Sequence, residues 1–276
     1  MSLYATYTAG EAPKAPVDST VPTISGTAET GQTLTATTGT WTESPTGYTY
    51  QWERCKATTC TSKVLGEKIT GATKSTYSPV TEDVGDTLRV AVTASNSGGA
   101  SKEPAYSLAT ATVKQGPSTF GTTTVGPSAE SDPANLKGVS KYTLAKAGSV
   151  SKLSIYLQPT GTAGEQKIEG VIYAAEASGG APGALDATST PITFKSTNTA
   201  GWYELPFATA VKLAAGSYWI GFLSGATANI AAFRYETVTS ALDYNVNVFT
   251  SGPSTPFGTP TVVSLQLSLY ATYTAE

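Results

Sequence analysis

Short runs in which apolar and polar residues alternate recur along the whole chain, and each stops at a cluster of Gly, Pro, Asn or Asp. QTLTATTGTW sets Leu34 and Ala36 on one face, YTYQWERC sets Tyr48, Tyr50 and Trp52 on one face, and TLRVAVTA does the same with Leu88, Val90 and Val92. Period two is the period of a half-buried strand. A turn signal roughly every ten residues leaves little room for helices. The chain therefore reads as all-β. Its 27 Gly, 16 Pro and 13% charged residues agree, since helices favour Glu, Lys, Leu and Arg.

At 276 residues the chain is long enough for two domains, each with its own core. Two Pro-bearing stretches mark the divisions, EAPKAPVDSTVP and KQGPS. The first reads as an extended, semi-rigid spacer, because Pro restricts itself and the residue before it. The boundaries expected are a strand over 1–10, a linker over 11–19, a sandwich over 20–114, a short linker over 115–117 and a larger sandwich over 118–276. The smaller sandwich needs about seven strands, the size of an immunoglobulin domain. The larger has strand candidates from STFGTTTV through SVSKLSIYLQPT, KIEGVIYAAE, GWYELPF and AGSYWIGFLSG to TVVSLQLSLYATYTA. Clusters such as PTGTAGEQ, SGGAPGAL and SGPSTPFG read as turns between them, and the whole as a jelly-roll-type sandwich.

Three stretches, PTISGTAETGQTLTATTGTW, YQWERC and STYSPVTEDVGDTLRVAVTASNSGGA, resemble the bacterial immunoglobulin-like repeats strung along secreted and surface proteins. By that resemblance Trp52 is the core tryptophan of the third strand, Cys55 and Cys60 form a local bridge after it, and Asp83 with Gly85 makes the corner before the penultimate strand. The segments GGAPGAL, GWYELPF and LAAGSYWIGF look like β-sandwich modules appended to bacterial extracellular proteins, some of which bind carbohydrate.

The two cysteines lie five positions apart about a turn. That spacing suits a small hairpin disulfide in an oxidising compartment, with two free thiols as the alternative; a zinc site would want four ligands, and the chain has no histidine. The same absence removes Ser-His-Asp and Cys-His nucleophiles and any histidine base, so no enzyme activity is expected. Glu130 and Asp132 in SAESDPANLKG are close carboxylates, read here as a solvated or calcium-coordinating loop rather than a catalytic pair. Beyond such a structural calcium no cofactor is expected. A net charge of −3 with no basic run argues against nucleic acid, and no apolar segment approaches the length of a membrane helix.

Aromatic residues are the remaining candidates for contact with a ligand. Trp202 and Tyr203 are neighbours, as are Tyr218 and Trp219, so on strands one ring of each pair faces outward; these four form the expected ligand platform, for a glycan. Tyr235, Tyr244 and Phe257 fall on later loops or edges.

One octapeptide, SLYATYTA, stands at Ser2–Ala9 and again at Ser268–Ala275. Through LQLSLYATYTA, the later copy with its upstream residues, Leu265, Leu267, Leu269, Ala271 and Tyr273 alternate with polar or outward residues, the pattern of a strand. The earlier copy repeats that face as Leu3, Ala5 and Tyr7, with Tyr4 and Thr6 on the other. Leu3, Tyr4, Ala5, Thr6 and Tyr7, with Leu269, Tyr270 and Tyr273, are the expected assembly strands. The sequence thus reads as one period of a secreted or cell-surface, structural or adhesive array whose units join head to tail. A carbohydrate-binding module on an immunoglobulin-like spacer, in a surface adhesin or a virus tail fibre, is the other reading.

Overall fold

The computed structural model describes residues 11–56, 60, 66–176 and 180–276. The regular elements among them are β-strands and two single-turn 3-10 segments, Thr81–Asp83 and Phe249–Ser251. The fold is all-β, and the chain divides between Gly116 and Pro117 into two units, each a β-sandwich.

In the smaller unit the strand Thr87–Asn96 lies at the centre of one sheet. Gly47–Cys55 pairs along one side of it, and Ala105–Tyr106 and Gly99–Ala100 along the other; Glu67–Lys68 continues the sheet beyond Gly47–Cys55. The facing sheet is shorter and consists of Ile24–Ser25, Leu34–Ala36 and Thr76–Tyr77. Alternation places Leu34, Ala36, Trp52, Leu88, Val90 and Val92 between the sheets, where all six are buried. Trp52 is fully buried opposite Val90, and its indole N–H donates to the Lys74 carbonyl at 2.9 Å. Tyr48 was expected on that inward face. It is exposed instead, because the facing strands are only two or three residues long and the long strand outruns them.

The spacer expected over residues 11–19 is anchored along this unit. Asn96 Nδ2 donates to the Lys14 carbonyl at 2.9 Å, Pro16 is buried, and Asp18–Thr20 pairs with Thr40–Trp41. The extended backbone that Pro imposes leaves carbonyls open, and neighbouring donors use them.

Two seven-stranded sheets form the larger unit. In the first, Gly148–Pro159 pairs on one side with Gly201–Leu213 and on the other with Leu269–Ala275, with Ser118–Gly121 outside the latter. Its far end meets Ala231–Glu236, which in turn pairs with Ser128–Ser131. The second sheet runs Pro182–Thr188, Glu165–Ala175, Gly216–Ser224, Leu136–Leu144, Leu242–Val246, Thr261–Val263. Leu153, Ile155, Ile172, Ile220, Phe222, Phe233 and Leu269 pack in a common core.

The segment Pro182–Thr188 is a strand, although its first four residues, through Leu185, were expected within a turn. Its register against Glu165–Ala175 shifts near Tyr173, so irregular pairing accommodates a sequence whose Gly and Pro hide the strand pattern.

The C-terminal octapeptide occupies an interior position. Tyr273 lies opposite Ser118 and Val150, Ala271 opposite Phe120 and Leu153, and Leu269 opposite Ile155. Leu267, Leu269, Ala271 and Tyr273 are all buried, as their alternation requires. Even the break in the strand is satisfied: Ser268 N–H donates to the Arg234 carbonyl at 2.8 Å, and its hydroxyl oxygen accepts the Gly126 N–H at 2.8 Å. The N-terminal copy, with Leu3, Tyr4, Ala5, Thr6 and Tyr7, lies outside the described residues.

Candidate functional site: an aromatic face on the larger sandwich

Because Leu153, Ile155 and Leu157 point into the core, Lys152, Ser154 and Tyr156 stand on the outer face of the first sheet. Register places Trp202 opposite Tyr156, Glu204 and Tyr270 on either side of Ser154, and Thr272 opposite Lys152. Three rings gather there. Trp202 meets Tyr156 at 5.5 Å between centroids and Tyr270 at 4.9 Å, both edge to face. Ser154 lies between Tyr270 and Glu204 in the register and is only 1% exposed although it belongs to the outer face, so the larger side chains around it close over it. All three rings remain half-exposed. One step along the strands Lys152 and Glu204 form a partly exposed ion pair. Further out, Arg234 reaches Gln158 and the carbonyls of Gly126 and Pro127.

The four aromatics singled out from the sequence do not share this surface. Trp202 faces outward, whereas Tyr203 turns inward onto Phe194 at 5.0 Å. Tyr218 is half-buried against the main core, its hydroxyl donating to the Ala214 carbonyl at 3.0 Å. Trp219 points to the outer side of the second sheet but is buried there with Val139, Val171, Tyr173, Leu223 and Phe257. Alternation within each pair is as expected; a covering loop removes Trp219 from solvent. The partners that Trp202 does have, Tyr156 and Tyr270, come from strands remote in sequence, and no local pattern connects them.

That covering loop is held by Lys137, a fully buried lysine. Its Nζ donates to Asn247 Oδ1 at 3.1 Å, Ser254 Oγ at 2.6 Å and the Phe257 carbonyl at 3.0 Å, and lies 4.2 Å from the Phe257 ring centroid. Burial lowers its pKa to about 8. Phe257, placed by sequence on a loop or edge, is wholly buried among Val139, Val171, Tyr173, Trp219 and Leu223.

Glu130 and Asp132 are not a solvated loop. Glu130 is exposed on the edge strand Ser128–Ser131, at the rim of an apolar cleft of about 210 Å³ lined by Leu136, Phe233, Leu242, Tyr244 and Val263. Asp132 is fully buried; Gln166 Nε2 donates both to its Oδ2 and to its backbone carbonyl, each at 3.1 Å. Burial raises its pKa well above the ordinary carboxylate range. Among the described residues no three His, Cys, Asp or Glu side chains converge to hold a metal ion.

Two features of the smaller unit are structural. Cys55 and Cys60 are joined by a disulfide, with S–S 2.04 Å. Asp83, fully buried, accepts from Arg54 Nε at 2.8 Å, the Tyr77 hydroxyl at 2.7 Å and the Val80 N–H at 2.9 Å, which fixes the corner before Thr87–Asn96. Gly85, two residues on, has φ 93°, a conformation glycine adopts without strain.

No family model matches this chain, and no curated protein matches it. Among solved structures, one of carbohydrate-binding modules from the β-sandwich superfamily aligns at 13% identity over 75% of this chain and 98% of that one, with a TM-score of 0.23. The structure of infectious bursal disease virus, Gx strain, aligns at 11% identity over 96% and 70%, TM-score 0.25. A D431N mutant VP2 protein of the same virus aligns at 11% over 88% and 61%, TM-score 0.26. At TM-scores this low the three likenesses have no bearing on function.

Proposed function

We propose that this chain is a non-catalytic, extracellular β-sandwich unit of a structural or adhesive array, joined to its neighbours through the duplicated octapeptide. One observation carries the reading: Leu269–Ala275, all but the first residue of the octapeptide, is an interior strand of the larger sandwich, with core-facing residues at Leu269, Ala271 and Tyr273. A segment identical over eight residues carries the same face as Leu3, Ala5 and Tyr7 and is suited to the same slot in another copy of that sandwich. The slot of its own chain is already filled. A strand left unpaired exposes amide and carbonyl groups that proteins normally cover, so the N-terminal copy completes a neighbouring sandwich, covalently in a longer thread or by donation between subunits. Either route joins units head to tail and yields open filaments unless the rotation closes. The Cys55–Cys60 disulfide supports an oxidising, extracellular setting.

Negative-stain electron microscopy of the full chain and of a variant lacking residues 1–10 tests this. Beaded filaments that shorten or vanish on truncation, with both sandwiches still folded, are expected. Equal assembly of the two proteins would refute it.

A further inference from the structure

We infer that the outer face formed by Tyr156, Trp202 and Tyr270 is a binding site for a neutral oligosaccharide. This deepens the adhesive side of the reading above by naming the chemistry of what is bound.

A cross-strand aromatic cluster that serves the sheet alone needs only ring against ring, and its polar ends turn to water or find partners in the protein. Here both phenols meet the indole edge to face, and among the described residues neither hydroxyl makes a hydrogen bond; both phenols stay partly exposed beside it. Tyr203, Tyr218 and Tyr173, by contrast, each direct the hydroxyl at a backbone carbonyl. The open hydroxyls of Tyr156 and Tyr270 thus belong to rings in contact with a partly exposed indole. An apolar ring beside two unspent donor-acceptor groups matches a pyranose, whose C–H face stacks on an aromatic ring while its hydroxyls point sideways.

Charge narrows the ligand class. Among the described residues the charged groups near the rings on this face are Lys152 and Glu204, which neutralise each other, and Arg234, held by Gln158 and the carbonyls of Gly126 and Pro127; one net positive charge is too little to select a polyanion. The exposed positions of Lys152 and Glu204 offer further donors and acceptors to sugar hydroxyls. The sheet beneath fixes the spacing of the rings: Tyr156 stands on a strand paired on both sides, Tyr270 lies between two neighbours, and Trp202 stands on a strand paired to that of Tyr156. A platform built on paired strands presents its rings without an ordering cost on binding.

Affinity electrophoresis of the full chain, in gels containing a panel of soluble neutral and acidic polysaccharides, tests the site. Retardation by at least one neutral glycan is expected. Trp202→Ala should abolish it. Tyr156→Phe and Tyr270→Phe keep the rings and each remove one hydroxyl, so each should weaken binding by about fivefold, the effect of one hydrogen bond. Unchanged thermal melting of the two Phe variants shows that this loss is not unfolding. The proposal is overturned if no neutral glycan retards the chain, if only acidic polymers do, or if the Phe variants and Trp202→Ala bind like the parent. Filament formation by the same proteins, read by microscopy, reports on the array independently, so loss of one property leaves the other interpretable.

Discussion

Gln166 holds Asp132 through a single amide: its Nε2 donates to the side-chain Oδ2 and to the backbone carbonyl of the same residue, while its Oε1 accepts from the Ile230 and Ala231 N–H groups. Asp132 Oδ1 has no partner among the described residues, and burial raises the pKa of this carboxyl. Above the ordinary carboxylate range the folded state therefore retains a proton that the unfolded chain has already released. This group's stabilising effect is complete below that range and is lost as pH rises through the raised folded value.

The larger sandwich should accordingly melt at a higher temperature in mild acid than at neutral pH, as far as Asp132 governs it. Asp132→Asn should reduce that dependence, leaving the part due to Glu169, Asp186 and Asp243, whose carboxyls burial also raises, while melting at least as high as the parent at pH 7. Calorimetry across a pH series checks this; a variant with the parent's pH profile would show that Asp132 is not the source.

Lys137 should act in the opposite sense over a different window. Its folded pKa, about 8, lies below that of an exposed lysine, so the penalty of burying its charge is present at and below neutral pH and is relieved as pH rises from about 8. Stability should rise between about pH 8 and 9.5, below the range in which the tyrosines titrate. Lys137→Met should flatten that rise and make the loop around Ser254 and Phe257 easier to cleave with protease. A rise that persists in the variant would place the titrating group elsewhere.

In the smaller unit, Trp52→Ala should cost about 3–5 kcal/mol, since it empties a fully buried site against Val90 and Tyr77. Reducing the Cys55–Cys60 bridge should cost about 2 kcal/mol, because the loop it closes is short. Chemical denaturation of each protein distinguishes the two; a Trp52→Ala variant as stable as the parent would contradict the packing described.

Much of this fold was legible because period two is a local signal. Leu88, Val90 and Val92 declared their face, and so did Leu267, Leu269, Ala271 and Tyr273. Turn-forming residues misled where a strand contained them, as in Pro182–Thr188, whose pairing with Glu165–Ala175 carries register shifts. The candidate site was half legible. Trp202 was visible as the outward member of an adjacent pair, but its neighbours Tyr156 and Tyr270 are brought to it only by the register of three strands. Lys137 looked like any strand lysine, because the residues that bury it, Asn247, Ser254 and Phe257, follow more than a hundred positions later.

The central claim is that the N-terminal SLYATYTA fills the slot of the terminal strand in another copy. A variant lacking both residues 1–10 and residues 266–276 has that slot empty and no octapeptide of its own, and a free peptide of residues 266–276 should refill it. Size-exclusion chromatography with mass detection, after refolding this acceptor together with the intact chain, measures capture directly. A one-to-one complex that is lost when the intact partner lacks residues 1–10 is the predicted result. No complex, or one that forms equally well without residues 1–10, would contradict it.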